Sequence, residues 1–266
     1  MKGMGLLLVV LLVPSAWLDS APVPQAAGTP AKQPPVAPPQ PSGAPVLPAA
    51  QEIFERYTQA IGGRDAWQKL TSRVSRGTVR IEGIDGTGTL LVYERAPNQS
   101  LSAMTMANGY VFREGFDGKA SWEQDPAGKV KLLEGARAAD ARADSDFYAE
   151  VNLAKMYPHA KTIAQRTADG RLAYVVEASV PGGTLRWLYF DAEDWLRFRT
   201  DIFENALSPT PTTVLRFDDY HDVDGIKYPY RGSVQGPGVN ISFRFTVLHH
   251  NTTVTDDQVA RPASPN

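Results

Sequence analysis

Apolar and polar residues alternate along three neighbouring stretches of the chain. Alternation with period two is typical of strands with one wetter face, and the breakers between the stretches are typical of tight antiparallel turns. Both faces also carry large side chains, so the sheet is expected to need a cover, which could be a helix, a partner or a lipid. The three predicted strands are Tyr174–Ser179, Leu185–Phe190 and Trp195–Ile202, separated by Pro181-Gly182-Gly183 and Asp191–Asp194.

The same pattern recurs on both sides of these three strands. Turn residues separate the additional stretches, and two of the breakers, Asn108-Gly109 and Asp117-Gly118, are strong signals for short hairpins. Neighbouring antiparallel strands are therefore favoured over parallel crossovers. The additional predicted strands are Arg73–Glu82, Gly88–Arg95, Ser100–Met106, Tyr110–Phe116, Ala120–Gln124, Val130–Leu133, Thr162–Thr167, Thr213–His221, Lys227–Gln235 and Asn240–Leu248.

Helical periodicity opens the folded part of the chain and returns once in its middle. The opening helix ends at Gly62-Gly63, which would supply a left-handed cap, and a short second helix follows over residues 64–70. The middle stretch, residues 135–157, predicts a helical insert that Pro158 ends, and Asp144 or Ser145 could cap a shorter helix there. The apolar stripes are Ile53, Phe54, Tyr57 and Ile61 in the opening helix, and Ala143, Phe147, Val151 and Ala154 in the insert.

The order of elements is thus helix, antiparallel strands, helical insert and more antiparallel strands. A long sheet must curl or close, because an open flat sheet leaves its edges and one apolar face exposed. We therefore predict an α+β fold, mainly antiparallel β. It is a curled, unclosed β-barrel in which the N-terminal helix and the insert cover the concave side. Its interior could be filled by side chains or could hold a ligand.

The N-terminal part of the sequence predicts export rather than fold. Lys2 precedes an apolar run of signal-peptide length, Met4–Val13, so residues 1–20 are interpreted as a signal peptide. A cut after Ala16 and an uncleaved anchor are the alternatives. Residues 21–50 contain ten prolines and predict a disordered tether with polyproline-II bias, whereas residues 51–262 form one domain and residues 263–266 a disordered tail.

Composition narrows the class of protein further. The formal net charge is −2 and no run of Lys or Arg is present, which argues against a nucleic-acid or anionic-membrane surface. The chain contains no cysteine, and this excludes disulfides, thiolate metal sites, a cysteine nucleophile and a thioether lipid anchor. The signal-peptide pattern, together with the absence of a second apolar run of membrane-spanning length, predicts a domain outside the cytoplasm.

Motifs for catalysis or metal binding are weak. The sequence contains no Gly-x-Ser-x-Gly elbow, phosphate loop, HExxH pair or dinucleotide fingerprint. His249 and His250 are adjacent in a strand, so their rings point to opposite faces and do not readily share one metal. The acidic residues around His221, between Asp218 and Asp224, fit a solvated hairpin better than a calcium loop. We therefore predict no enzyme activity, no cofactor and no metal.

Four motifs carry a resemblance to a known family. They resemble the LolA/LolB-like superfamily of lipoprotein carriers of the bacterial cell envelope, and in particular its exported outer-membrane lipoprotein-sorting-like members. The resemblance spans residues 51–262 and implies an unclosed β-barrel whose helices lid an acyl-chain cavity. It also implies that the protein is periplasmic or otherwise exported to the bacterial cell envelope. A ligand-gating arginine, which the resemblance also implies, could be Arg73, Arg76 or Arg80. The motifs are QEIFERYTQAIGGRDAWQKL, GFDGKASWEQDPAG, LYFDAEDWLRFR and DDYHDVDGIKYPY.

These observations predict a non-catalytic carrier or binding protein. It would shelter an acyl chain, a lipoprotein or a similar apolar ligand, and would touch a membrane only peripherally or through an uncleaved N-terminus. The alternative is an envelope sensor or scaffold that binds a protein partner through the same half-barrel. Aromatic and aliphatic residues that could line the cavity, although each also fits a plain core, are Phe116, Trp122, Phe147, Tyr148, Val151, Trp187, Tyr189 and Trp195.

Overall fold

A computed structural model describes residues 46–263, which form one thirteen-stranded antiparallel sheet with five short helices. The predicted signal peptide, most of the predicted tether and nearly all of the predicted tail lie outside these residues. The helices are α1 Ala50–Ala60, α2 Arg64–Trp67, α3 Gly135–Asp144, α4 Leu153–Met156 and α5 Asp256–Val259, and a 3-10 turn lies at Ala149–Val151. The strands are β1 Ser72–Ile81, β2 Gly88–Arg95, β3 Gln99–Thr105, β4 Val111–Asp117, β5 Ser121–Gln124, β6 Val130–Leu132, β7 Lys161–Ala168, β8 Arg171–Ala178, β9 Leu185–Asp191, β10 Arg197–Phe203, β11 Thr213–Val223, β12 Ile226–Gly236 and β13 Val239–His250.

Strand order explains how the sheet and the insert are related. The spatial order is β6-β5-β4-β3-β2-β1-β13-β12-β11-β10-β9-β8-β7, so every neighbouring pair is consecutive in sequence except β1 with β13. Strands β6 and β7 consequently form the two outer edges, and the insert (residues 133–160) connects one edge to the other. The sheet is curled but not closed, and the predicted fold class is confirmed.

Glycines permit close approach where the sheet curls. At Gly77 the register between β1 and β13 shifts, and a Cβ atom would collide with the backbone carbonyl of Arg244. At Gly232 of β12 a Cβ would lie 2.5 Å from Cζ of Phe243, whose ring occupies the space above the glycine. Glycine, which has no side chain, is typical of strand positions where the strand bends or where another group approaches the backbone closely.

The helix α1 covers one face of the sheet, here called the inner face. Its predicted apolar stripe is buried, and the rings of Phe54 and Tyr57 lie 5.9 Å and 5.3 Å from the ring of Phe190 on β9. Gly62 and Gly63, both with positive φ, end the helix as predicted. One apolar core therefore joins α1, the insert and strands from both halves of the sheet.

The insert differs in detail from the single helical stripe that its sequence predicts. Helix α3 ends at Asp144, and the chain then turns, because the Asp146 side chain accepts a hydrogen bond from the backbone of Tyr148. The backbone N–H of Phe147 donates to the carbonyl of Pro97 in the β2–β3 turn instead of to a helical neighbour. A shorter helix capped by Asp144 or Ser145 is therefore not observed, and the segment before Ser145 is instead the longest helix of the insert.

The opposite, outer face is covered mainly by side chains of its own strands and by the C-terminal segment. A small apolar cluster of β8, β9 and β10 lies on this face, and arginine side chains cover it. For example, the guanidinium of Arg166 lies 5.1 Å from the centre of the Trp187 ring. At the other end, Val254 and Val259 pack on Val74, which places α5 on this face; sequence analysis did not predict α5. Among residues 46–263, none of the helices has the length and apolar character needed to span a membrane.

Candidate ligand-binding site

Three buried arginines of the inner face carry the polar contacts beneath the insert. Arg186 of β9 makes a two-pronged ion pair with Asp144 of α3, with both N–O distances 2.8 Å, and its Nη2 lies 3.2 Å from Asp140. Asp140 also accepts hydrogen bonds from the backbone and hydroxyl of Thr184. Burial raises the pKa of Asp140 against the lowering effect of Arg186, so this carboxylate depends on its partner.

The second arginine connects the insert to both the sheet and α1. Nη2 of Arg197 on β10 lies 2.6 Å from Oε1 of Glu150, and the hydroxyl of Tyr57 on α1 donates to Oε2 of the same carboxylate at 2.5 Å. Glu150 is 3% exposed. Because the pair is this deeply buried, loss of either partner would leave an uncompensated charge in the core.

The third arginine lies below the turn that follows α3. Arg73 of β1 forms a two-pronged pair with Glu94 of β2 at 2.5 Å and 2.6 Å, and its guanidinium lies 4.4 Å from the ring of Tyr228 and 6.0 Å from that of Phe147. Burial raises the pKa of Glu94, opposed by Arg73. Of the three arginines that the family resemblance left open, Arg73 is buried, whereas Arg76 and Arg80 are exposed.

The space between the insert and the sheet is largely filled. The cavity between α3 and strands β2–β5 measures about 60 Å³ and is lined by Phe116, Trp122 and Phe147 together with polar residues such as Ser121. A space of this size has room for a few water molecules and not for an acyl chain. The helices and the sheet therefore leave no lipid-sized chamber at this position in this conformation.

A larger space lies on the other side of α3, open to solvent. We call it the lateral groove; it has a volume of about 790 Å³, within the range of small-molecule sites. It runs between the insert, the β2–β3 turn and the β8–β9 loop, and apolar atoms dominate its walls. Its lining residues are Pro97, Asn98, Ala138, Ala139, Arg142, Ala143, Asp146, Asn152, Lys155, Met156, Val180 and Pro181.

Solved structures share the fold of this chain. A LolA superfamily protein from Nitrosomonas europaea matches with a TM-score of 0.55 and 14% sequence identity, covering 81% of this chain and 99% of its own. A DUF1329 family protein from Desulfovibrio piger matches with a TM-score of 0.55 and 15% identity, covering 79% and 96%. The chain has the LolA/LolB-like fold. No protein-family model matches the sequence, and no curated protein matches it.

Within this LolA/LolB-like fold, the predicted cavity residues fall into three groups. Phe116, Trp122 and Phe147 come together around the small cavity. Tyr148, half-buried, donates its hydroxyl to the carbonyl of Leu70, and Val151 is part of the apolar core. The structure does not bring the remaining three residues to either space.

Those three residues lie around β9 and the turn after it. Trp187 and Tyr189 are on the outer face, where the Tyr189 hydroxyl donates to Asp201 at 2.8 Å. Trp195 stacks on Tyr174 at 5.3 Å and has a φ of 64°. That left-handed backbone is uncommon for a bulky residue, and glycine adopts it more readily. None of the three residues lines the lateral groove.

The acidic residues of the β11–β12 hairpin lie against basic side chains of the protein itself. Asp218 pairs with Arg231 and Asp219 with Arg244, while Asp224 pairs with His250. Across the described range, no group of three or more His, Asp or Glu side chains is placed to hold a metal ion. The alanines of the lateral groove were not singled out by the sequence, because small apolar residues on a helix give no signal that distinguishes a groove from a packing face.

Proposed function

We propose that this chain is an exported, non-catalytic binding or carrier protein of the bacterial cell envelope that holds an acyl chain or a similar apolar ligand. The lateral groove is the observation that carries the proposal. Its walls are built from small apolar residues of α3 on one side and from Val180 and Pro181 on the other, which suits a narrow aliphatic chain. Support for export comes from the signal-peptide pattern of residues 1–20.

The filled inner face determines where such a chain would lie. Since the small cavity measures only about 60 Å³, the acyl chain of the ligand would lie in the lateral groove, along α3, rather than beneath Phe147. Each buried methylene contributes about 0.8 kcal/mol, so eight methylenes in the groove would supply about 6 kcal/mol. A membrane offers about the same energy per methylene, so the net free energy of moving the ligand between the membrane and the groove would be small.

The test uses the full chain, isolated from an envelope fraction without harsh detergent. Native mass spectrometry is expected to show a bound amphiphile, and titration with a fluorescent fatty acid is expected to saturate at one site. Ala138→Trp fills part of the groove and is expected to weaken binding about fifteenfold, because displacing two methylenes costs about 1.6 kcal/mol. Ala136→Trp, on the exposed side of the same helix, is the matched control.

Two results would contradict the proposal. Equal ligand affinity of the two tryptophan variants would show that the ligand does not bind in the lateral groove. A ligand-free mass together with a stoichiometric protein partner would favour the sensor or scaffold alternative, in which the same surface binds a polypeptide.

A further inference from the structure

The solvent-exposed edge of the lateral groove, here called its lip, carries two cationic side chains. Arg142, in the last turn of α3, and Lys155, in α4, both line the groove and both are exposed. Neither side chain makes a hydrogen bond or an ion pair with any other residue of the described range 46–263. By contrast, the arginines beneath the insert, such as Arg186 and Arg197, are ion-paired with buried carboxylates.

One acidic residue, Asp146, also lines the groove, so the lining carries two cationic groups and one anionic group. Asp146 is 2% exposed, and its Oδ1 accepts the backbone N–H of Tyr148 in the turn after α3. The other polar lining residues are the neutral amides Asn98 and Asn152, which can donate hydrogen bonds to an anion without adding charge. Two cations against one carboxylate leave the lining with a formal net charge of +1, with both cations exposed and the carboxylate buried, and the amides offer neutral donors beside the cations.

The rest of the lining is apolar. Ala139 of α3 faces the β8–β9 loop, where Val180 is buried and Pro181 completes the wall. A groove with a charged lip and an apolar wall matches a molecule that has one charged end and one aliphatic end. A fully apolar ligand would leave the two cations to water alone, whereas an anionic head group at the lip would gain charge-assisted hydrogen bonds from them.

We propose that the lateral groove selects a single-chain amphiphile with an anionic head group, a carboxylate or a phosphate, which pairs with Arg142 and Lys155 while its chain lies against the alanines of α3. This inference rests on the proposed function and specifies its ligand class. Arg142 and Lys155 act as specificity-determining residues, because their contribution depends on the charge of the head group and not on the chain.

The experiment compares four probes on the full chain by calorimetry: dodecanoate, dodecyl phosphate, dodecanol and inorganic phosphate. The two anionic amphiphiles are expected to bind about five- to thirtyfold more tightly than dodecanol, as two partly exposed ion pairs provide. This preference is expected to shrink at high salt. Inorganic phosphate is expected neither to bind nor to displace dodecanoate, and the ratio of dodecanoate to dodecyl phosphate affinities distinguishes the two head groups.

A double variant locates the selectivity. Arg142→Gln with Lys155→Gln is expected to reduce the preference for anions to about one while leaving dodecanol affinity unchanged. Arg76→Gln with Lys129→Gln removes the same charge at exposed positions outside the groove and is expected to retain the preference.

Each other outcome separates the two proposals. Equal affinity for all three dodecyl compounds overturns the head-group inference and leaves the proposed function standing. A preference for anions that persists in the Arg142→Gln, Lys155→Gln double variant has the same two consequences. Tight binding of inorganic phosphate alone would indicate a free-anion site and overturn the inference. Failure of every dodecyl compound to bind overturns the proposed function itself.

Discussion

Replacement of Arg186 by methionine tests how the insert is held on the sheet. Arg186→Met keeps an unbranched side chain of similar length but removes the charge that faces Asp140 and Asp144. The hydroxyl of Tyr157, which now accepts a hydrogen bond from Arg186, loses that donor as well. The variant therefore leaves two buried carboxylates of α3 without their cation, and the insert is expected to open more often.

The size of the effect follows from the burial of this cluster. The side chains of Arg186 and Asp144 are 6% and 9% exposed, so solvent does not replace the lost partner. Removing one partner of a buried ion pair costs about 3–5 kcal/mol. At about 1.4 kcal/mol per factor of ten, the opening equilibrium of the insert is expected to rise roughly 10²- to 10³·⁵-fold.

Hydrogen exchange with mass spectrometry measures this locally. Peptides covering residues 135–157 are expected to lose protection by that factor, while peptides of β12 and β13 change little. Asp140→Asn with Asp144→Asn, added to Arg186→Met, removes the buried charges and is expected to restore most of the protection. Arg216→Met, which removes an exposed pair with Asp169, is the control and is expected to cost at most about 1 kcal/mol.

The reasoning would be refuted by either of two results. Unchanged protection of the insert would show that the ion pairs do not hold it. An equal loss across all peptides would show that the insert opens only when the whole domain unfolds, so that it is not an independent cover.

Two further predictions concern stability. Gly232→Ala places a Cβ 2.5 Å from Cζ of Phe243 and 2.8 Å from the carbonyl oxygen of Arg216, so it is expected to lower the free energy of unfolding by about 1–3 kcal/mol in urea titrations; an unchanged midpoint would contradict the close approach. Burial lowers the pKa of His250, against the raising effect of Asp224, so the folded protein favours the neutral ring. The free energy of unfolding is therefore not reduced by His250 above the pKa of about 6.5 that its ring has in the unfolded chain. It is expected to fall as the pH drops from there toward the pKa of His250 in the folded protein. His250→Asn should reduce the difference between urea midpoints at neutral and mildly acidic pH, and an identical difference would show that other groups cause it.

Local sequence signals were sufficient to predict the strands of this fold. Hairpin turns such as Asn108-Gly109 and alternation within strands are encoded by neighbouring residues, and the observed bounds agree within a few positions. The pairing of β1 with β13 was beyond such signals, because it joins residues about as far apart in sequence as Val79 and Phe243. It depends on how the whole sheet curls, and period-two patterns do not report that curl.

The sequence also could not show which side chains of a strand point to the inner face and which to the outer face. In β9, Trp187 and Tyr189 alternate with Leu188 and Phe190, and both sets are apolar enough to be core. Contact with α1 selects Leu188 and Phe190 for the inner face, while arginines of neighbouring strands cover the other set. Only tertiary packing distinguishes the two sets, so an aromatic count could not locate the candidate site.

The order of the strands also has a consequence for how the chain could be rewired. Because β1 and β13 lie side by side in the middle of the sheet, the strand order is that of a continuous meander whose chain begins and ends in the middle of the sheet. A variant with its old ends joined by a linker and new ends within the insert would turn every strand pair into a sequence neighbour. Such a permutant would have lower contact order and is expected to fold faster. The natural connectivity instead retains one long-range strand pairing, and in return the cover of the half-barrel stays covalently attached at both of its ends.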